Sequence, residues 1–364
     1  GASVTTGISN TLIGGLAGDA LTTGQENTVV GRSALTAEIA GRYNVAIGNA
    51  ALAAQSNSSG ADVYNTAVGY TAGLSVTTGV ENSIIGALAG DALTIGYQNV
   101  VNGFQALSAE TTGSRNVAIG INALNASNMG GSTSVTSYNV AVGALAGASV
   151  TTGVHNVLMG GLSGDALTDS DFNTALGDAT LSTDTLGSRS VAVGYAALNQ
   201  QNFTTATNSY NTAIGALAGF AITTGDRNTI VGGLAGDSLT TGHSNTIIGF
   251  ACASSGVITG ANNTMMGDSA GAVLTSGASN QFIGKDAGDT GENVNPSAAS
   301  GSHQIVLGHD INGTSGDAFA FGKASNIVHN DFATDADWSR SSDERLKKNI
   351  SDAPLGLSFI NDLR

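Results

Sequence analysis

The sequence predicts an all-β fold: a parallel β-solenoid, or β-roll, of 17-residue coils with a short mixed segment at its C-terminal end. Three observations predict it. Of 364 residues, 52 are Gly and only 2 are Pro, while charged residues make up 11% and aromatics 5%. A short unit, Asn-x-x-[Ile/Val]-Gly, recurs at a nearly constant spacing along most of the chain. Within the unit, side chains alternate with the two-residue period of a strand.

Composition sets the limits. Two Pro exclude a collagen or polyproline rod, and 41% apolar residues argue for a packed core rather than disorder. No apolar run approaches the roughly 18 residues of a membrane helix. A net charge of −15 disfavours nucleic acid and anionic membranes as partners. A single Cys excludes an intrachain disulfide and a cysteine-built zinc site. Length alone would suggest two or three globular domains. Few charges and small side chains point instead to a repeat protein.

The unit glycines begin at Gly14, Gly31 and Gly48 and continue to Gly284 and Gly308, seventeen in all. Most steps equal that from Gly14 to Gly31. Longer steps carry insertions: Gly48 to Gly69, Gly120 to Gly143, Gly194 to Gly215 and Gly284 to Gly308. A second period overlies the first. Gly14, Gly86, Gly160 and Gly232 open blocks of almost equal length, and their texts match: GGLAGDALTTG from Gly14, GALAGDALTIG from Gly86 and GGLAGDSLTTG from Gly232. Each superrepeat therefore holds four units, and its third unit carries the insertion.

Helical repeats need about 33 residues or more. A unit half that long suffices for two short strands and two turns, one coil of a solenoid. The residue before each unit glycine is nearly always large and apolar, as in Ile13, Val30, Ile47 and Ile85. Two residues earlier stands a β-branched or small residue, as in Thr11, Thr28, Val45 and Ser83. The unit glycine permits one turn, and Thr22-Thr23-Gly24 marks the opposite one. The asparagines that open the units (Asn27, Asn44, Asn65, Asn82, Asn99 and Asn116) are expected to stack into a ladder, each amide bonding the coils above and below. Sixteen steps of about 4.8 Å make a rod of roughly 77 Å.

The intervening strand positions are apolar too: Leu12, Val29, Ala46, Ala67 and Ile84. A strand apolar on both faces is buried on both. One face fills the interior. The second needs either a partner rod, which predicts an oligomer, or a wider single-chain solenoid that closes around both faces.

The units NVAIGNAAL at Asn44 and SVAVGYAAL at Ser190 resemble the head repeats of trimeric autotransporter adhesins. The resemblance covers roughly residues 1–310 and implies a trimer of parallel β-rolls, intertwined or side by side. The family unit is usually shorter than the unit of this chain. After Gly308 the pattern decays through residues 311–341, where Phe319, Phe321, Phe332, Trp338 and Arg340 gather. The text SDERLKKNI from Ser342 then resembles the start of the intramolecular chaperone autoprocessing domain of phage tail fibres and tailspikes. That resemblance implies a homotrimer on a virion, outside the cell, whose partner is a host-surface glycan or protein. It further implies a Ser342–Lys347 dyad that cuts the precursor once at Ser341–Ser342. A lysine acts as a base only when burial lowers its pKa. Residues 342–364 supply only the start of that domain, so the dyad is expected to need the full-length precursor. The plainer reading of residues 342–348 is a solvated helix cap. Gly1–Gly7 matches Gly147–Gly153, which lies inside a unit, so a fragment end is expected at either terminus.

The insertions Gln55–Val63, Asn125–Ser137 and Asn199–Ser209 are candidate recognition loops, with Gln55, Asn57, Asn125, Asn128, Gln201 and Phe203 as the side chains suited to sugar hydrogen bonding and stacking. Tolerated surface loops are the bland alternative. Arg42, Arg115 and Arg189 occupy matching places, as do Asp19, Asp91, Asp165 and Asp237; an inter-chain salt bridge or inherited surface charge would each explain them. Asp169 and Asp171 lack the calcium-roll nonapeptide, and the five His show no metal spacing, so neither a metal nor a cofactor is expected. Cys252 reads as a small buried residue. An adhesin head of a bacterial surface is the alternative function. An ice-binding solenoid is a third, motivated by the Thr pairs at Thr22, Thr151, Thr223 and Thr240.

Overall fold

The computed structural model describes residues 1–288, 300–311, 316–332 and 339–340. The chain winds as a parallel β-solenoid. Each coil contributes one three-residue strand, beginning with Thr11–Ile13, Thr28–Val30 and Val45–Ile47. Successive strands pair in parallel and in register, Thr11 with Thr28, Leu12 with Val29 and Ile13 with Val30. The column continues to Ile305–His309 and Ala318–Lys323, one coil beyond Gly308. There the direction reverses. Ala318–Lys323 pairs antiparallel with Asn326–Asp331, which pairs antiparallel with Ser339–Arg340. This hairpin is the mixed C-terminal segment.

The middle residue of each strand points inward. Val29, Ala46, Ala67, Ile84, Ala118 and Ala141 are fully buried. They meet the residues three and four beyond the unit glycine, such as Ala34 with Leu35 and Ala51 with Leu52, in one continuous core. Alternating Ala with Leu or Ile keeps the coil narrow, because two large residues at one level would exceed the interior volume.

The other two sides of the coil are built from turns rather than from a second strand. Where a second strand exists it flanks an insertion: Gly113–Ser114 with Val135–Thr136, and Gly187–Ser188 with Thr207–Asn208. The physical reason is backbone conformation. The residue before each ladder Asn, and the residue two beyond each unit glycine, takes a left-handed φ, for example Tyr43 at 64° and Leu88 at 58°. Such a residue cannot continue a strand. Inter-coil hydrogen bonds hold it there, Tyr43 N–H to the Gln25 carbonyl at 3.2 Å and Leu88 N–H to Tyr70 at 2.9 Å. The unit glycine itself is obligatory. Gly86 has φ +130°, and a Cβ there would lie 2.5 Å from the Gly103 carbonyl oxygen.

The asparagine ladder runs beside the sheet. Asn44 donates its N–H and its Nδ2–H to Asn27 Oδ1, both at 3.0 Å. Asn27 Nδ2 also donates to the Gly41 carbonyl at 3.0 Å. Asn82, Asn99 and Asn116 continue the series. Ser190 takes the Asn place in one coil and still donates its N–H to Asn173 Oδ1 at 2.9 Å. Gln304 closes the ladder. Its side-chain amide is buried without a partner, because the next coil offers Ala318 at that place.

Candidate recognition face and insertion loops

The outward residues of the strands form a sheet face that nothing in the described residues covers. Ile13, Ile47, Ile85, Met159, Ile214, Met266 and Ile283 are 37–59% exposed on it. The wider single-chain solenoid, closed around both strand faces, is therefore not what this chain forms. The core accommodates one face only, and the inserted residues lie at the turns instead of over the sheet.

Two borders flank this face, one at the ladder side and one just after the unit glycine. All seven Tyr of the chain stand there: Tyr43, Tyr64, Tyr97, Tyr138 and Tyr210 before the ladder Asn, Tyr70 and Tyr195 after the glycine. So do all the Lys and Arg of residues 1–310, namely Arg32, Arg42, Arg115, Arg189, Arg227 and Lys285. Because the coils are in register, the ladder-side residues stack into a column. Tyr43 lies 5.0 Å from Tyr64, Tyr138 5.3 Å from His155, and His155 4.9 Å from Phe172. The Arg189 guanidinium caps Phe172 at 4.8 Å, and Arg115 lies 5.5 Å from Tyr138.

Each third-unit insertion begins one coil above a buried acid. Glu38, Glu110 and Asp184 are fully buried at the position seven beyond the unit glycine, where Leu21, Val76, Leu93 and Leu167 fill other coils. Glu38 Oε1 accepts the N–H groups of Ile39 at 2.9 Å, Gly41 at 2.8 Å and Asn57 at 3.0 Å. Its Oε2 accepts from Gln55 Nε2 at 2.8 Å. Glu110 accepts Thr111, Thr112, Gly113 and Met129 N–H groups at 2.7–3.2 Å, and the Ser127 hydroxyl at 2.7 Å. Asp184 accepts Gly187 N–H and Phe203 N–H at 3.0 Å and Gln201 Nε2 at 2.5 Å. Sequence reasoning misses these acids, although a signal is present: in each of the first three superrepeats the column of Leu and Val is interrupted by an acid followed one coil on by Gln55, Ser127 or Gln201.

The residues expected in the loops divide accordingly. Gln55 and Gln201 are buried, and their Oε1 atoms accept from ladder residues Asn65 and Asn211 at 2.8 Å. Phe203 is 6% exposed, so its ring offers no open platform. Asn57 is half-buried, donating Nδ2–H to Glu38 at 3.2 Å. Asn125 is half-buried, donating to Ser108 Oγ at 2.8 Å. Asn128 is exposed and accepts from the Thr111 hydroxyl at 3.0 Å. Ser58, Ser59, Ser132, Thr133, Thr204 and Thr205 are among the loop residues exposed to solvent. Ser342 and Lys347 lie outside the described residues.

The matching arginines bind within the chain and not the matching aspartates. Arg42 binds Asp62 at 2.5 Å, and Arg115 donates to Gln98 at 2.9 Å and to the Tyr138 hydroxyl at 2.8 Å. Arg189 donates to Asn208 at 3.1 Å. Each of these arginines thus reaches a residue at the far end of the neighbouring insertion. Asp91, Asp165 and Asp237 are partly buried, and burial raises their carboxyl pKa. The Thr column on the opposite turn donates into the next coil, Thr22 to Ile39 at 3.2 Å and Thr240 to Ile258 at 3.1 Å. Those hydroxyl protons are engaged within the rod. Asp169 accepts from the Thr152 hydroxyl at 2.7 Å and Asp171 from Val154 N–H at 2.8 Å.

Comparison with protein-family models, with curated proteins and with solved structures finds no match for this chain.

Proposed function

We propose that this chain is the shaft of a phage tail fibre, a homotrimeric rod on the virion that attaches to a glycan or protein of the host surface. The observation that carries the reading is the uncovered sheet face with its borders. Interfaces are enriched in Tyr, Met and Arg, and here every Tyr and every shaft cation borders one apolar face. A three-residue strand is about 10 Å wide and eighteen coils are about 82 Å long, so the face alone offers about 800 Å². That is the area per partner of a stable interface. The resemblance of SDERLKKNI to a chaperone autoprocessing domain favours the fibre over a bacterial adhesin head, which shares the repeat.

Sedimentation equilibrium tests the assembly. A trimer is expected, and a stable monomer at micromolar concentration would sink the reading. In a full-length precursor, Ser342→Ala should leave the chain uncut; normal cleavage in that variant removes the dyad. Adsorption of the purified rod to intact bacteria, competed by surface glycan, tests attachment.

A further inference from the structure

We propose that Glu38, Glu110 and Asp184 are the anchors that allow the third unit of a superrepeat to carry an insertion: buried carboxylates that fix the shape and direction of the loops. Four observations support this. Each acid replaces a core aliphatic residue in the coil directly before an insertion. Each accepts the backbone N–H of a residue at the start of the loop, Asn57, Met129 or Phe203. Each also binds the residue stacked above it, Gln55, Ser127 or Gln201. The fourth superrepeat supplies an internal control. Its second unit has Gly256 where the acid would stand, and its third unit, Gly267 to Gly284, has the ordinary spacing with no insertion. The longer step from Gly284 to Gly308 falls in a fourth unit and follows Leu274, so it is outside the anchored class.

The chemistry explains the correlation. An insertion pulls the chain away from the next coil, so N–H groups at its base lose the inter-coil carbonyls that would otherwise accept them. A buried N–H left unpaired is costly. One carboxylate oxygen accepts several N–H groups at once, which a neutral side chain cannot do equally well. The second oxygen binds the residue above it. In the first and third superrepeats that residue passes the connection to the ladder, Gln55 to Asn65 and Gln201 to Asn211. The loop, the core and the ladder therefore form one hydrogen-bonded unit. Asp184 does with one methylene fewer what Glu38 and Glu110 do, so the charge and its reach define the anchor rather than the residue type.

The use of these anchors in attachment rests on the fibre reading, but the anchoring itself is measured without any ligand. The experiment is hydrogen exchange on the full chain carrying Glu110→Gln or Glu110→Asp. Glu110→Gln should lower protection of Gly113 and Met129 by about tenfold or more, while the loops at Asn57 and Phe203 in the same molecule stay unchanged. Glu110→Asp should retain most of the protection. Unchanged protection in Glu110→Gln overturns the proposal. Should Glu110→Gln fail to fold, a second variant decides: Glu110→Leu with Ser127→Leu and removal of residues 131–136, which restores the ordinary coil length. The proposal requires this variant to regain the sheet. Failure to regain it overturns the proposal. Because oligomeric state and host binding are measured separately, a monomeric or non-adsorbing rod would defeat the fibre reading and leave the anchors standing.

Discussion

Asn99 gives both its backbone N–H and its Nδ2–H to one acceptor, the Oδ1 of Asn82, at 3.0 Å each. Its Nδ2 also reaches the Gly113 carbonyl at 3.0 Å. One fully buried amide thus satisfies polar groups of three successive coils. This is why nearly every unit opens with Asn rather than Asp, whose side chain has no N–H to give; at Ser190, an exception, the backbone N–H alone keeps the bond to Asn173 Oδ1.

Asn82→Ala should therefore destabilise the rod by about 2–4 kcal/mol, because the Asn99 N–H and the Gly96 carbonyl lose partners inside the wall. The midpoint of urea unfolding measures it. A loss below about 0.5 kcal/mol, the range of ordinary surface changes, would show that the ladder is dispensable.

Neighbouring residues of one strand should behave oppositely. Ile84 is fully buried and Ile85 is 40% exposed. Ile84→Ala should cost about 2–5 kcal/mol in stability. Ile85→Asp should leave the coil folded yet abolish association in sedimentation, since it places a charge in the middle of the apolar face.

Cys252 is fully buried, its thiol donates to the Ala270 carbonyl at 3.2 Å, and burial pushes its pKa up to about 12. The thiolate is the reactive form. The folded chain should show no reaction with Ellman's reagent at pH 8, and the denatured chain should show one thiol. Rapid labelling of the native rod would contradict the packing.

Burial raises the carboxyl pKa of Asp91, Asp165 and Asp237 above 3.8. A raised folded-state pKa means that the fold favours the protonated form. The stability this contributes is complete below 3.8 and is lost as pH rises through the raised value. At neutral pH the charged carboxylates oppose folding. Changing all three to Asn should therefore raise the thermal midpoint at pH 7, and the advantage should shrink as the parent is acidified through the carboxylate range.

Much of the coil is legible in the sequence. The spacing of Gly14, Gly31 and Gly48 sets the stack, the series from Asn27 to Asn116 announces the ladder, and the irregular steps locate the insertions. What escapes is conformation that leaves no strong residue preference. Left-handed positions are held by Tyr43, Arg115 or Leu88 rather than by Gly, so the turns that replace the expected second strand carry no mark. Gln55, Gln201 and Phe203 read as surface residues because their neighbours are polar. Only the fold puts them beside Glu38 and Asp184, inside the wall.

The sequence by itself determined the repeat and its length, because these follow from periodicity, and periodicity is a property of one chain read along itself. The tertiary structure decided which side of each strand faces inward and which of the polar residues are spent inside the wall. Those depend on residues a full coil or more apart meeting across the stack. A strand apolar on both faces cannot declare its inner side. Stacking decided it by closing Ala46 into one core with Ala51 and Leu52, and Ile84 with Ala89, while Ile47 and Ile85 face outward along the rod.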